Sequence, residues 1–296
     1  MVNKLKKKLL ATDLDGTFLN SKGEVSTENR DAISAAVKNG LEVIFVTGRP
    51  PRWLNGIAVE ANHFNKVVGA NGAFIADLQK MEVVQSNPVN NETLNIVVDR
   101  IRTKYPDAVF AIERAFAGMP IPKSVCKDYE TMHVEKLSDF EYAISPGYEV
   151  VWKNLDLIQV APIETLMAKP DITKVLVKPG DPKGWNSDTW LVEINEIVNQ
   201  ELQTTHASEH VVLAELSAKG ITKATGLEAI AVEKGYSQQE IVAVGDMPND
   251  IPMLQWVSEA WAVANAHEEV LEITNNLLPH SDDHAVAKLI DDLLSR

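Results

Sequence analysis

The sequence predicts an α/β protein built on a doubly wound parallel sheet, with a second α+β domain inserted into it. Short apolar runs alternate with helical patterns from about residue 9 to residue 69, and the same alternation returns after about residue 220. The stretch between them follows neither rhythm. Strand and helix in alternation is the grammar of a parallel sheet covered on both faces.

The first apolar run, Leu9 to Thr12, stops at Asp13. Ser26-Thr27-Glu28 then offers a helix N-cap with an acidic first turn. Ile33, Ala36 and Val37 recur at helical spacing, and Gly40 closes that helix. Leu41 to Val46 reads as a second strand, followed at once by Thr47-Gly48-Arg49, and Pro50-Pro51 ends it. Lys66 to Val68 is a third, leading into Gly69-Ala70-Asn71-Gly72. Near the C-terminus, Thr222 caps a helix carrying Leu227, Ile230 and Ala231, which ends at Gly235. Ile241 to Val244 is a fourth strand, ending at Gly245-Asp246; Ala260 to Val263 is a fifth, ending near Asn265; His284 to Leu294 closes the chain as a helix. This is a Rossmann-like core assigned to residues 1–85 and 210–296. Residues 86–209 are expected to form the inserted domain, with a strand at Val175 to Val177 and a helix at Leu191 to Leu202. Trp152, Trp185 and Trp190 are expected to fill its core rather than to line a pocket.

Acidic residues outnumber basic ones by 42 to 28, a formal charge of -14. That field repels nucleic acid and anionic lipid, so neither is an expected partner. The basic run at Lys4, Lys6, Lys7 and Lys8 is read as a solvated approach to the first strand. No apolar run approaches the length of a membrane span, and the few apolar residues after that run are too short for a signal peptide. A cytoplasmic protein is the expectation. The single cysteine, Cys126, has no partner for an internal disulfide and is taken as structural. Composition says nothing about oligomeric state.

The strongest chemical signal is Asp13-Leu14-Asp15-Gly16-Thr17 after the first strand. In open parallel sheets, ligands sit beyond the carboxyl ends of the strands. Two carboxylates so close repel, and both stay ionised only beside a cation; hard oxygen ligands near a phosphate suit Mg²⁺. A calcium loop fits less well, because Phe18 stands where its sixth-position glycine belongs. Other strand ends add Thr47 and Gly48, and then Gly245-Asp246-Met247-Pro248-Asn249-Asp250. Lys223 lies at a helix start, where lysine and backbone N–H groups converge on an anion; Lys219 is its decoy. Each piece alone is turn chemistry, but together, at strand ends and a helix start, they are not. His206 and His210, with Glu209 between them, lack the order of a zinc helix. There is no Walker A sequence, so a P-loop NTPase is not expected.

These motifs, in this order, resemble the haloacid dehalogenase superfamily, and within it the Cof-type branch, whose cap is inserted between the second and third motifs. The resemblance covers Leu9 to Ala76 and Val211 to Leu294. Asp13 to Thr17 would be the first motif, Thr47-Gly48-Arg49 the second, Lys223 the third, and Gly245-Asp246 with Asn249-Asp250 the fourth; Asn71-Gly72 and Asn265-Ala266 also sit where that branch carries such pairs. The resemblance implies that Asp13 attacks phosphorus and that Asp15 protonates the leaving alcohol and later deprotonates water. It implies Mg²⁺ held by Asp13, Asp15 (through its backbone carbonyl) and Asp246, with Asp250 and Asn249 completing or orienting that shell. Thr47, Gly48, Lys223 and Asn249 would surround the phosphate. The implied activity is hydrolysis of sugar phosphates or similar small phosphorylated metabolites. A phosphomutase or phosphotransferase on the same scaffold, and a non-catalytic metal- or phosphate-binding protein, are the alternatives.

Overall fold

The computed structural model describes residues 7–125, 133–134, 141–149, 158–206 and 211–296. Cys126, Trp152, Glu209 and His210 lie outside them, as do Lys4 and Lys6. In chain order the strands are β1 (Leu9–Thr12), β2 (Glu42–Val46), β3 (Lys66–Gly69), β4 (Phe74–Asp77), β5 (Glu82–Ser86), β6 (Val109–Arg114), β7 (Ser124–Val125), β8 (His133–Val134), β9 (Tyr142–Ile144), β10 (Gln159–Val160), β11 (Ile172–Lys178), β12 (Gln203–Thr205), β13 (Ala214–Ser217), β14 (Ile241–Gly245), β15 (Glu259–Val263) and β16 (Asn276–Leu278). The helices are α1 (Thr27–Lys38), α2 (Leu54–Ala61), α3 (Asn91–Lys104), α4 (Ile163–Met167), α5 (Ser187–Val198), α6 (Lys223–Lys234), α7 (Ile251–Trp256), α8 (Glu268–Ile273) and α9 (Ala285–Ser295).

Eight strands form the first sheet, in the order β16-β15-β14-β1-β2-β3-β4-β5. From β16 to β3 every neighbouring pair is parallel. Successive side chains on a strand point to opposite faces, and the sheet is buried on both. Leu10, Val43, Phe45 and Val67 pack on α1, α2 and α9. Leu9, Ala11, Ile44, Val46 and Val68 pack on α6, α7 and α8. Strand order reverses at β1: β2 and β3 step away on one side, β14 and β15 on the other. β1 therefore ends at the switch point where such sheets bind ligands.

Two antiparallel strands extend this sheet where the sequence reading expected none. Their connection, Leu78 to Met81, carries neither Gly nor Pro. Met81 takes the left-handed conformation at φ 56°, and Asp77 Oδ1 accepts from the N–H groups of Gln79 and Lys80 at 3.0 and 3.2 Å. The turn is thus made by a side-chain acceptor rather than by the usual punctuating residues.

The second sheet has the order β10-β9-β6-β11-β13-β12. One face packs on α3 and α5 around Trp190, which is fully buried and donates Nε1–H to the Val177 carbonyl at 2.9 Å. Trp185 and Tyr105 meet its ring edge-on at 5.1 and 5.0 Å, so these two tryptophans fill the core. α5 begins four residues before the expected Leu191, because Asn186 caps it in a reciprocal box with Thr189. The sheet also runs past residue 209: β13 pairs with β11 and β12. We therefore place the return to the first sheet at residues 218–222.

The inserted chain also touches the first sheet partway along its course. Gly118 N–H and the Met119 carbonyl pair with Val83 of β5 at 2.8 Å each, and Ile121 N–H bonds the Met81 carbonyl at 2.8 Å. Ser124 then docks on α2, accepting from Gly56 N–H at 3.1 Å while its own N–H bonds Asn55 Oδ1 at 3.1 Å.

Candidate active site

Asp13 is the first residue past β1, and its N–H still bonds the Val244 carbonyl of β14 at 3.0 Å. The loop then turns sharply at Gly16, φ 80°. A Cβ there would stand 2.2 Å from Asp246 Oδ2, so only glycine lets the two loops meet. Thr17 Oγ1 donates to Asp246 Oδ1 at 2.8 Å, and Asn265 Nδ2 donates to the Gly16 carbonyl at 2.8 Å.

Lys223 opens α6 behind the cap residue Thr222. Its Nζ reaches Asp13 Oδ1 and Asp250 Oδ1, both at 2.6 Å, and it is 1% exposed. The other oxygen of Asp250 accepts the N–H groups of Asp246 and Met247 at 3.0 and 3.1 Å. Asp250 is thereby occupied on both sides and shapes the turn. Asp13, Asp246 and Asp250 each place a carboxylate oxygen within 4.8 Å of the others, all buried.

On the next strand end, Thr47 is fully buried, and its Oγ1 accepts from Arg49 N–H at 3.1 Å. Pro50 and Pro51 turn the main chain into a short 3₁₀ segment, yet Arg49 points back. Its guanidinium grips Asp15, with Nε to Oδ2 at 2.8 Å and Nη2 to Oδ1 at 2.5 Å. The side chain of Asp15 is thereby engaged by Arg49 and is not one of the three clustered carboxylates. Gly48 lies against Asn71, whose Oδ1 accepts from Asn249 Nδ2 at 3.0 Å. The other polar atom of Asn249, its buried Oδ1, has no hydrogen-bond partner among the described residues.

Burial dominates the electrostatics. It raises the Asp13 carboxyl from 3.8 to about 7: Lys223 pulls it down, while Asp250 and Asp15 push it further up. Asp246 is pushed well above the ordinary carboxylate range by burial and by the charges of Asp13 and Asp250. Burial works against the charge of Lys223, but Asp13 and Asp250 outweigh it and leave its pKa above the ordinary lysine value. Buried carboxylates thus outnumber the one ammonium at their centre. That donor set, all hard oxygen, fits a divalent cation such as Mg²⁺.

The sign of the pH dependence follows. An acid whose folded pKa lies above its unfolded one favours folding below the unfolded value and loses that contribution as pH rises through the folded value. Without metal, stability is expected to fall from about pH 4 to above pH 7 as Asp13 and Asp246 ionise. Glu141, raised to about 7 by burial, adds to the same fall. Excess Mg²⁺ should restore the share due to Asp13 and Asp246, raising the melting temperature at pH 8 by on the order of 5 °C and much less at pH 5. Thermal scans at the two pH values, with Mg²⁺ and with EDTA, measure this; an equal shift at both would contradict it.

The sequence signalled Asp13, Asp15, Thr47, Gly48, Lys223, Asp246, Asn249 and Asp250, and the structure gathers them at the ends of three neighbouring strands and the start of α6. It adds residues that the sequence reading passed over. Lys174 of β11 and Glu215 of β13 reach the same loops from the second sheet. Their one signal was a charged residue among apolar neighbours in a strand, Ile172 to Val177 and Ala214 to Leu216. His206, by contrast, pairs with Asp188 at 2.9 Å and belongs to no cluster with metal-ligand spacing among the described residues. No helix among them is long and apolar enough to cross a membrane.

Comparison with known proteins identifies the family and the fold. The phosphatase YwpJ of Bacillus subtilis is 25% identical over 97% of this chain and 100% of its own length. From the same organism, the 5-amino-6-(5-phospho-D-ribitylamino)uracil phosphatase YcsE is 25% identical over 96% of this chain and 94% of its own. Among solved structures, SMU.1108c of Streptococcus mutans superposes with a TM-score of 0.75 at 22% identity, covering 98% of this chain and 100% of that one. The HAD subclass IIB sugar phosphatase BT4131 does so with a TM-score of 0.73 at 19% identity, covering 97% and 98%. A family model described as haloacid dehalogenase-like hydrolase matches residues 10–290, and the chain belongs to that family.

Proposed function

We propose that the protein is a Mg²⁺-dependent phosphomonoester hydrolase that works through an aspartyl-phosphate on Asp13 and acts on sugar phosphates or similar small phosphorylated metabolites. The observation that carries this is the position of Asp13: a buried carboxylate at a sheet switch point, 2.6 Å from a lysine and grouped with two further carboxylates. The phosphatases among its relatives support the same reaction class.

Asp13, Asp246 and the backbone carbonyl of Asp15 would hold the metal, with Asp250 fixing the loop and Asn249 helping to orient that set. When bound, the cation supplies charge neutralisation where an anionic carboxylate meets an anionic phosphoryl group. An oxygen of Asp13 attacks phosphorus, and the bond from phosphorus to the ester oxygen breaks. Lys223, the Thr47 hydroxyl and the Gly48 N–H hold the equatorial oxygens, where charge accumulates. The leaving oxygen takes a proton from Asp15. Water then gives a proton to Asp15 and attacks the same phosphorus, releasing phosphate and regenerating Asp13. A carboxylate held on both oxygens by a guanidinium only accepts hydrogen bonds. Asp15 therefore carries its proton after parting from Arg49, and the pair with Arg49 is its resting position. The second sheet covers this site and limits water during the first transfer.

Hydrolysis of an aryl phosphate and of a panel of hexose phosphates, with Mg²⁺ and with EDTA, tests this. Inorganic phosphate should appear only with the metal. Isomerised sugar phosphate in place of free phosphate would assign a mutase, and no turnover with any divalent metal would leave a binding protein.

A further inference from the structure

The second sheet turns a charged face toward the first. Glu113 of β6 is register-paired with Lys174 of β11, and Leu176, two residues on, is paired with Glu215 of β13. Alternation therefore puts Glu113, Lys174 and Glu215 on one face, opposite the face that packs on α3 and α5. All three are buried. A buried charge persists only where its partners are well placed, so the positions of those partners matter.

Lys174 does not turn chiefly to its register partner Glu113, whose Oε2 is 4.0 Å from Nζ. It donates instead to the Gly48 carbonyl at 2.7 Å and to Glu215 Oε1 at 3.0 Å. Glu215 Oε2 accepts from Asn71 Nδ2 at 2.6 Å, and Asn71 Oδ1 accepts from Asn249 at 3.0 Å. Lysine and glutamate of the second sheet thus hold the Thr47-Gly48 loop, the Asn71 turn and the Asn249 turn in one chain of bonds.

The Gly48 carbonyl belongs to the same peptide group as the Arg49 N–H, which donates to Thr47 Oγ1. An ammonium on the carbonyl oxygen polarises that peptide and strengthens its N–H as a donor. A hydroxyl has one proton and two lone pairs. With one lone pair occupied by Arg49 N–H, the Thr47 hydroxyl is restricted in rotation and its proton is left for another acceptor, the part given above to a phosphoryl oxygen. We propose that Lys174, supported by Glu215, is a positioning residue: through the Gly48–Arg49 peptide it orients the Thr47 hydroxyl, so that docking of the second sheet completes the phosphate cradle. This rests on the phosphatase reading of the preceding subsection and goes beyond it.

The test uses the full chain, with Mg²⁺, on an aryl phosphate and a hexose phosphate. Turnover by the unaltered chain checks the phosphatase reading on its own, and its absence overturns both proposals. For Lys174→Met, kcat should fall on the order of 10²-fold on both substrates alike, the scale of one lost oxyanion donor, with little change in KM. Glu215→Gln should follow in the same direction with a smaller loss, and Lys174→Arg should recover part of the rate. Combining Lys174→Met with Thr47→Ala should cost scarcely more than Thr47→Ala alone, since two residues acting through one bond are not additive. Unaltered kcat in Lys174→Met overturns the proposal. So does a raised KM confined to the hexose phosphate, which would make Lys174 a sugar contact, and so do fully additive losses. If Lys174→Met does not fold, Lys174→Arg and Glu215→Gln, each alone and with Thr47→Ala, decide by the same criteria.

Discussion

Asp13→Asn is expected to reduce turnover by about 10⁴-fold or more while the far-ultraviolet circular dichroism stays that of the unaltered chain. The amide matches the carboxylate in shape, so it still fills the buried position past β1 and still presents an oxygen to Lys223. It lacks the charge and the nucleophilic electron density that attack on phosphorus needs. It also removes one of the carboxylates that crowd around Asp246 and Asp250. The metal-free variant should therefore melt no lower than the parent at pH 8, and its melting temperature should depend less on Mg²⁺. Turnover within tenfold of the parent would remove Asp13 from the role of nucleophile. Loss of the folded spectrum would show that the carboxylate serves the fold first.

The second large effect is expected at Lys223, with Lys219 as its control. Lys223→Met strands Asp13 and Asp250 without the ammonium that both share at 2.6 Å. Removing one partner from a buried ion pair costs about 3–5 kcal/mol, and under the proposed mechanism the loss would also take a ligand from the phosphoryl oxygens. Activity should fall by about 10³-fold, and the midpoint of urea unfolding should drop measurably. Lys219 is exposed, four residues earlier, and Lys219→Ala should change both measurements little, as ordinary surface substitutions do. The opposite outcome, mild at 223 and severe at 219, would mean that the wrong lysine has been placed beside Asp13.

The pieces of the site that the sequence displayed share one property: each follows a short apolar run or opens a helix. Asp13, Thr47 and Asp246 come directly after β1, β2 and β14, and Lys223 follows a capping threonine. In a parallel sheet those positions converge whatever the side chains between them, so linear order suffices to suggest a common site. Lys174 and Glu215 obey a different rule. Their place depends on which face of the second sheet meets the first and on the register of β11 against β6 and β13. Period-two alternation divides a strand into two faces without saying which one docks. Arg49 was obscured for a related reason. The prolines after it fix the path of the main chain, whereas the reach of its side chain back to Asp15 is a matter of tertiary distance. The antiparallel strands β4 and β5 were hidden because Met81 performs the turn that a glycine or asparagine ordinarily marks.

The docking of Gly118 to Ser124 on β5 and α2 bears on how the two sheets can separate. A lid hung from two attachment points swings about the line through them like a door on its hinges. A third fastening off that line removes the swing and leaves only small flexing, unless the fastening is undone. Separating the two sheets by more than such flexing would require these contacts to come loose.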